Sequence, residues 1–418
     1  MAPPGDLGLG GGRVRGRVRS CLGVEAVAER GVGAPAWVTG IGAVTGYGWG
    51  RKHLWDGLVL GESAVVPTPG FGEFFDTDEL WLAVVSDEGR PEDGPSKFAR
   101  ALHAAAREAI ENAVERGWRP GGTVGVVHAF VLGEVNGWRD FYLRPDRHVG
   151  RRQYIRLMPS TPITNLMIEH NFHGPCMSVV AMCASGNAAL LTAKMWLDAG
   201  IADDVLVIAT DLSVTPETVR HFVDLGVLIV DRPPHDAIRP FQESSRGFVG
   251  GEASVGLMVS SQPHGGYAAF RGGAMSHDAH HAISLAGDPE QIRACYQAAL
   301  ERSGVAAEEV VYFNAHGPGT KQCDAAEARL FDEMFPGAEG IFSFKPLVGH
   351  CQAAAAAVEV AISCISYEEG VIPAPPAVAS GHPRLVSGVV PRRPGVTFKS
   401  SLGMGGYNTA VLLDEPLA

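Results

Sequence analysis

From Ala36 onward the chain alternates two kinds of apolar segment. Short runs, Ala36–Gly42, Thr123–Leu132, Met177–Met182 and Val205–Ala209, are almost continuously apolar or small. They predict strands covered on both faces. Between them apolar residues recur at helical spacing. The stretch Lys97–Arg116 places Phe98, Leu102, Ala105, Ala109, Ile110 and Ala113 on one stripe, and Ala188–Ala199 predicts a helix closed by Gly200. The second half follows the same alternation, with strands at Glu252–Val259, Val310–Asn314, Val396–Ser400 and Ala410–Leu413, and helices at Pro289–Arg302, Asp324–Phe335 and Ala353–Tyr367. Such alternation predicts an α/β fold. No Pro/Ser-rich linker divides it, so two similar α/β halves, 36–262 and 263–418, are expected in one compact body. Residues 1–35 differ: they are Gly-rich, with Arg13, Arg15, Arg17 and Arg19 between small or apolar residues. They lack the apolar core of a secretion signal and predict a flexible basic arm.

Composition narrows the function classes. Apolar residues make up 46% of the 418, enough for a large core, and charged residues only 19%. A net charge of −12 argues against binding a phosphate backbone. The 7 cysteines are odd in number and widely spaced, which predicts free thiols in a reducing cytoplasm rather than a disulfide or zinc framework. No apolar run is long enough to span a membrane.

Candidate chemistry sits where strands end. Cys183 follows the run Ser178–Met182 and precedes Ala184-Ser-Gly-Asn-Ala-Ala, which opens a helix. A thiol in such a turn lies at the sheet's end, where the helix N-terminus favours thiolate and is expected to lower its pKa from about 8.5. A packed, inert cysteine fits the same segment. His316 follows a strand inside Phe313-Asn-Ala-His-Gly-Pro-Gly-Thr320, and His350 precedes an Ala-rich helix after Ser343-Phe-Lys345-Pro-Leu-Val-Gly. Either histidine alone reads equally as a hydrogen-bonded structural residue. Together, one Cys and two loop-borne His suit thioester chemistry: a thiolate attacks an acyl carbonyl, and imidazole N–H groups stabilise charge on a second thioester.

Several motifs, in order along the chain, carry a resemblance. Val38-Thr-Gly-Ile-Gly, Pro159-Ser-Thr-Pro, Ala181-Met-Cys183-Ala-Ser-Gly, Arg239-Pro-Phe…Arg-Gly-Phe-Val-Gly-Gly-Glu252, Asn314-Ala-His316-Gly, Val348-Gly-His350 and Leu402-Gly-Met-Gly-Gly-Tyr-Asn408 resemble those of the elongating β-ketoacyl synthases of fatty acid and type II polyketide synthesis. The resemblance runs from about Trp37 to Glu415. It implies a thiolase-like five-layered αβαβα fold from two related halves, normally dimeric. It implies Cys183 as nucleophile, and His316 and His350 as ligands of the malonyl thioester carbonyl. Lys345 would support their hydrogen-bond network with Glu359. The backbone N–H groups of Cys183 and Met404 would form the oxyanion hole, and Thr320, Gly405 and Gly406 would meet the pantetheine arm. No intrinsic cofactor or metal is implied. Substrates would arrive on the phosphopantetheine of an acyl carrier protein, and the dimer would be homomeric or paired with a chain-length factor.

This chain also departs from the pattern. Met404 stands where a gating Phe is usual, Pro318 replaces the first of two Thr that bond pantetheine, Tyr407 replaces a Thr and Gln242 an Asp. Val127-His-Ala-Phe130 is bulkier than usual near the acyl tunnel. These changes favour a specialised pathway. They also leave open an acyltransferase that passes the acyl group from Cys183 to an amine or alcohol. A non-catalytic chain-length-factor role is disfavoured by the Cys, and a thiolase by the lack of a second C-terminal catalytic Cys motif. His277-Asp278-Ala-His280-His281 resembles a loop that carries no metal in the family. Cys323 and Cys351 read as core residues. Lys97, Arg100 and Arg107 fit either a basic patch for an acidic carrier protein or a solvated helix face.

Overall fold

The computed structural model describes residues 34–120, 122–143 and 151–416. The expected arm at 1–35 falls almost wholly outside them. Ten core strands carry the fold: β1 (Ala36–Thr45), β2 (Val124–Ala129), β3 (Cys176–Val179), β4 (Asp204–Asp211), β5 (Ala253–Ser260), β6 (Ala268–His277), β7 (Val310–Asn314), β8 (Gly340–Phe342), β9 (Val396–Gly403) and β10 (Tyr407–Asp414). They lie in the order β8-β7-β9-β10-β6-β1-β5-β4-β2-β3. The order is a duplication. Read outward from the centre, β1-β5-β4-β2-β3 is repeated by β6-β10-β9-β7-β8. The directions repeat too: β2 is parallel to β3 and β4, and β7 to β8 and β9, while the remaining pairs are antiparallel. The repeats join where Ala36–Val38 of β1 pairs with Ala268–Phe270 of β6.

The helices complete the layers. Helix α1 (Lys97–Glu115) covers the outer face of β1, β4 and β5, and α3 (Glu290–Ser303) covers β6 and β10. Two central helices, α2 (Ser185–Asp198) and α5 (Ala355–Glu369), pack on each other and on strands of both repeats. The α4 helix (Lys321–Met334) adds Leu330 and Phe331 to the outer cluster around Phe313 and Phe398. This is the expected five-layered αβαβα arrangement. The central core joins Leu190, Ala193 and Trp196 of α2 and Val358 and Ile362 of α5 to Val207, Leu257, Val411 and Leu413 of the sheet. Burial on all sides explains why α5 lacks a polar face: every residue from Ala355 to Tyr367 is buried.

The glycines of the opening strand have a packing reason. A Cβ on Gly42 would lie 2.1 Å from the carbonyl of Ala105, and one on Gly40 2.2 Å from that of Ala109. Helix α1 therefore rests directly on β1, with its alanines against the strand. Some elements start or stop away from their expected ends. The strand expected at Met177–Met182 ends at Val179, because the chain kinks sharply at Met182, φ +51°.

Candidate active site

The site assembles at the ends of the parallel strands. A 3-10 turn, Met182–Ala184, carries Cys183 from β3 into α2. Positive φ at a non-glycine residue is strained. Ser185 stabilises the kink, accepting from Ala181 N at 2.8 Å and donating to Met182 O at 2.6 Å. Ser401 Oγ donates to Cys183 O at 2.9 Å. The second repeat reproduces this turn: Gln352–Ala354 precedes α5, with Gln352 at φ +44°. Ala353 is thus the counterpart of Cys183, and His350 stands just before its kink. His316 follows β7. Lys345 opens the short helix Lys345–Val348 after β8. Met404 lies in the turn between β9 and β10.

These segments bring together what the sequence scatters. The Sγ of Cys183 and a ring nitrogen of each of His316 and His350 all lie within 4.8 Å of one another. The two imidazoles meet edge to face, with centroids 5.4 Å apart. All three residues are buried. His350 packs on Phe248 at 4.9 Å, and its Nδ1 accepts from Gln352 N at 3.1 Å. That donor places the imidazole proton on Nε2. Lys345 Nζ donates to the His316 carbonyl and pairs with Glu359 Oε1 at 2.7 Å. The expected Lys345–Glu359 pairing is therefore present, wholly buried.

Electrostatics depart from one expectation. The Cys183 thiol is not lowered but pushed up to about 11. Burial does this, outweighing the backbone N–H of Met404, the charge of Lys345 and the cysteine's own N–H, which all favour thiolate. Burial, and then Lys345, hold both histidines well below the usual imidazole range, so they are neutral at pH 7. A protonated thiol beside neutral imidazoles gives a testable pH profile. The iodoacetamide rate at Cys183, followed by peptide mapping, rises about tenfold per pH unit from 7 to 10. A plateau below pH 8 would contradict this.

Other expected residues fall as follows. Gly405 and Gly406 adopt φ of +91° and +95°, which glycine accepts without strain. Thr320 stands at the N-cap of α4, but its hydroxyl does not cap the helix. His277, Asp278, His280 and His281 do not converge as ligands. Among the described residues the one group with metal-ligand spacing is the Cys183–His316–His350 set itself. The 277–281 loop instead holds the glycine turn. Asp278 N donates to Gly406 O at 2.8 Å, Asn408 Nδ2 donates to Asp278 Oδ1 at 2.6 Å, and His277 meets the Tyr407 ring at 4.9 Å. The basic-patch reading of Lys97, Arg100 and Arg107 fails. Lys97 pairs with Glu252 at 2.7 Å, Arg100 with Asp87 and Arg107 with Asp93, so their charges are spent within the fold.

Sequence reasoning missed four supporting groups. Glu327 accepts from His316 N at 2.8 Å and Gly317 N at 2.7 Å, fixing the histidine's backbone. Asp324, one turn earlier, accepts from Gly319 N at 3.1 Å and Phe241 N at 3.3 Å, and burial lifts it to about 8. Their signal was available: two acids at i and i+3 on the apolar stripe of α4, beside Leu330 and Phe331. Asp211 receives Ala353 N at 3.3 Å. Lys399, fully buried, pairs with Glu359 Oε2 at 2.6 Å.

A duplicated five-layered frame with a kinked cysteine facing two neutral histidines defines a thiolase-like enzyme. The chain belongs to the β-ketoacyl synthase family: the family's N-terminal domain matches residues 34–264 and its C-terminal domain residues 267–378. It is a condensing ketosynthase, an acyltransferase by enzyme class, of the kind found in type II polyketide and fatty acid synthases. It is 27% identical over 420 residues to the ketoacyl synthase alpha subunit of the tetracenomycin polyketide synthase of Streptomyces glaucescens, covering 91% of this chain and 96% of that one. It is also 27% identical over 424 residues to the 3-oxoacyl-[acyl-carrier-protein] synthase 2 of Rhizobium meliloti, covering 90% and 97%. Among solved structures, the fold superposes with TM-score 0.81 and 24% identity on a type II polyketide ketosynthase in complex with its acyl carrier protein, covering 91% and 99%. A ketosynthase from Xenorhabdus doucetiae in complex with its chain length factor gives TM-score 0.78 at 21% identity, covering 91% and 98%. Among the described residues no helix is long and apolar enough to cross a membrane.

Proposed function

We propose that Cys183 carries the growing acyl chain, and that His316 and His350 bind and decarboxylate a malonyl thioester delivered by an acyl carrier protein. The observation that carries this is the convergence of the three reactive atoms within 4.8 Å. In the first half-reaction Cys183 sulfur forms a bond to the acyl carbonyl. Its proton passes to an imidazole and on to the departing pantetheine thiolate. In the second, the malonyl carboxylate leaves as CO₂, and the electron pair it leaves behind becomes an enolate. The Nε2–H of His350, with His316, donates to the enolate oxygen. The enolate carbon attacks the Cys183 thioester. The tetrahedral oxyanion sits between the N–H groups of Cys183 and Met404, and its collapse releases the β-ketoacyl product and the cysteine thiolate, which takes back a proton.

Neutral imidazoles suit this role, because hydrogen-bond donation needs no net charge in a buried site. The solved relatives lend the partners: an acyl carrier protein as carrier, and a second ketosynthase-fold subunit, identical or a chain-length factor. A cytoplasmic setting fits the free cysteines. No intrinsic cofactor enters any step, and the substrates themselves ride on phosphopantetheine. Met404, Pro318 and Tyr407 favour a specialised pathway over housekeeping synthesis.

Intact-protein mass spectrometry tests the reading. Wild type and Cys183→Ala are incubated with a panel of acyl carrier protein thioesters, then with malonyl carrier protein. Acylation of wild type alone, followed by CO₂ and a β-ketoacyl product, is expected. Acylation without condensation would assign the protein to acyl transfer onto another acceptor. No acylation across the panel would overturn the proposed role of Cys183.

A further inference from the structure

Lys399 lies on β9 opposite Asn314 of β7, in a strand whose every residue is buried. Its ammonium makes no contact with solvent. Instead it sits in a shell of oxygens: Glu359 Oε2 at 2.6 Å, Ser400 O at 2.6 Å, Ala315 O at 3.1 Å and Asn314 O at 3.5 Å. The side-chain oxygen of Asn314 is itself buried without a hydrogen-bond partner. Main-chain carbonyls and one carboxylate, closed off from water, are the surroundings that replace the hydration shell of a potassium or ammonium ion. A lysine ammonium is a compact point charge of the same kind, tethered to the chain.

The shell reaches the segments that carry His316, Cys183 and Met404. Asn314 and Ala315 lead directly into His316. Ser400 leads to Ser401, which holds the Cys183 carbonyl, and on to Met404. Ser400 Oγ also bonds Glu327, which fixes the backbone of His316 and Gly317. Glu359 divides its two oxygens between Lys399 and Lys345, and Lys345 in turn holds the His316 carbonyl. The charges facing Lys399 are thus Glu359, Glu327 and Lys345.

We propose that Lys399 is a positioning residue, its ammonium a built-in monovalent cation that locks the His316 strand to the Met404 strand, so that replacing it with a small side chain turns the enzyme into one that binds and requires a free monovalent cation. The activity arm rests on the ketosynthase reading above. The cation arm does not, since binding in the shell needs only the fold.

The test compares wild type with Lys399→Ser in choline buffer, then with potassium or ammonium added at constant ionic strength. Wild-type turnover and thermal midpoint are expected to be indifferent to both ions. Lys399→Ser is expected to lose about 10²-fold in kcat in choline, the scale of an ångström of misplacement, with little change in KM. Potassium or ammonium should restore it saturably, and tetramethylammonium, too large for the shell, should not. The thermal midpoint of Lys399→Ser should climb with the same ions, as for any ligand that binds only the folded state. A wild type that needs potassium would overturn the proposal, because its shell is already filled. So would a folded Lys399→Ser that turns over normally in choline, or one that no small cation restores. Insolubility of Lys399→Ser that persists in potassium and ammonium would count against it equally. If no acylation of Cys183 is ever seen, the midpoint measurement still decides the cation question by itself.

Discussion

His350→Ala is expected to lower the condensation rate by about 10²–10³-fold while leaving the acylation of Cys183 largely intact. Removing one preorganised donor to a developing oxyanion costs on this scale. The asymmetry between the half-reactions follows from geometry. Cys183 needs a proton acceptor to attack, and His316 remains within reach. The enolate needs donors aimed at its oxygen, and only His350 has its Nε2 proton fixed by a backbone donor on the other ring nitrogen. Burst acylation followed by mass spectrometry separates the steps from steady-state release of CO₂. If both half-reactions fall together, or if condensation stays within about threefold of wild type, His350 is not the enolate ligand.

Glu359→Gln is expected to cost about 3–5 kcal/mol of stability, the scale for removing one partner of a buried ion pair. The cost is high because one carboxylate serves two buried ammoniums, Lys345 at 2.7 Å and Lys399 at 2.6 Å. With the amide in place, Lys399 loses the charge that opposes its desolvation. Burial already pulls Lys399 down to about 8 despite Glu359, which opposes the shift. The pH dependence follows in sign. The unfolded chain, with an ordinary lysine near 10.4, binds more protons than the folded one between about pH 8 and 10, so wild-type stability gains from this group as pH rises through that window. Losing Glu359 drops the folded value further and widens the window downward. The deficit of Glu359→Gln should therefore shrink between pH 7 and 9 in denaturant titrations. A deficit that is constant or grows would mean that Lys399 keeps its proton.

The reactive atoms were legible because each is announced locally. A cysteine between an apolar strand and a small-residue helix start, or a histidine between a strand and glycines, has few places to go in an α/β sheet. The framing residues were not. Lys399 sits in Val396–Gly403 where a lysine reads as a solvent-facing strand position, yet both faces of that strand are covered. Its partners, Glu359 of α5 and the Asn314 and Ala315 carbonyls at the end of β7, come from distant elements of its own repeat, so the neighbouring sequence does not announce them. Glu327 and Asp324 share the buried stripe of α4 with Leu330 and Phe331, so their burial could be read, but not the backbone donors of the His316 loop that they receive. Lys97, Arg100 and Arg107 erred the other way, since their carboxylates Glu252, Asp87 and Asp93 come from other segments. The thiol pKa was misjudged for the same reason. The helix start is local, whereas the burial that outweighs it is made by the whole fold.

The doubled topology bears on how the chain can be divided. One repeat supplies the sulfur. The other keeps the same kink but fills it with Ala353, and supplies both imidazoles, the Met404 amide and the paired lysines. Chemistry therefore lives on the seam, and each repeat is the other's missing subunit. Cut apart, the two segments would be inert singly, and any turnover would be a signature of their reassembly, as in a split reporter.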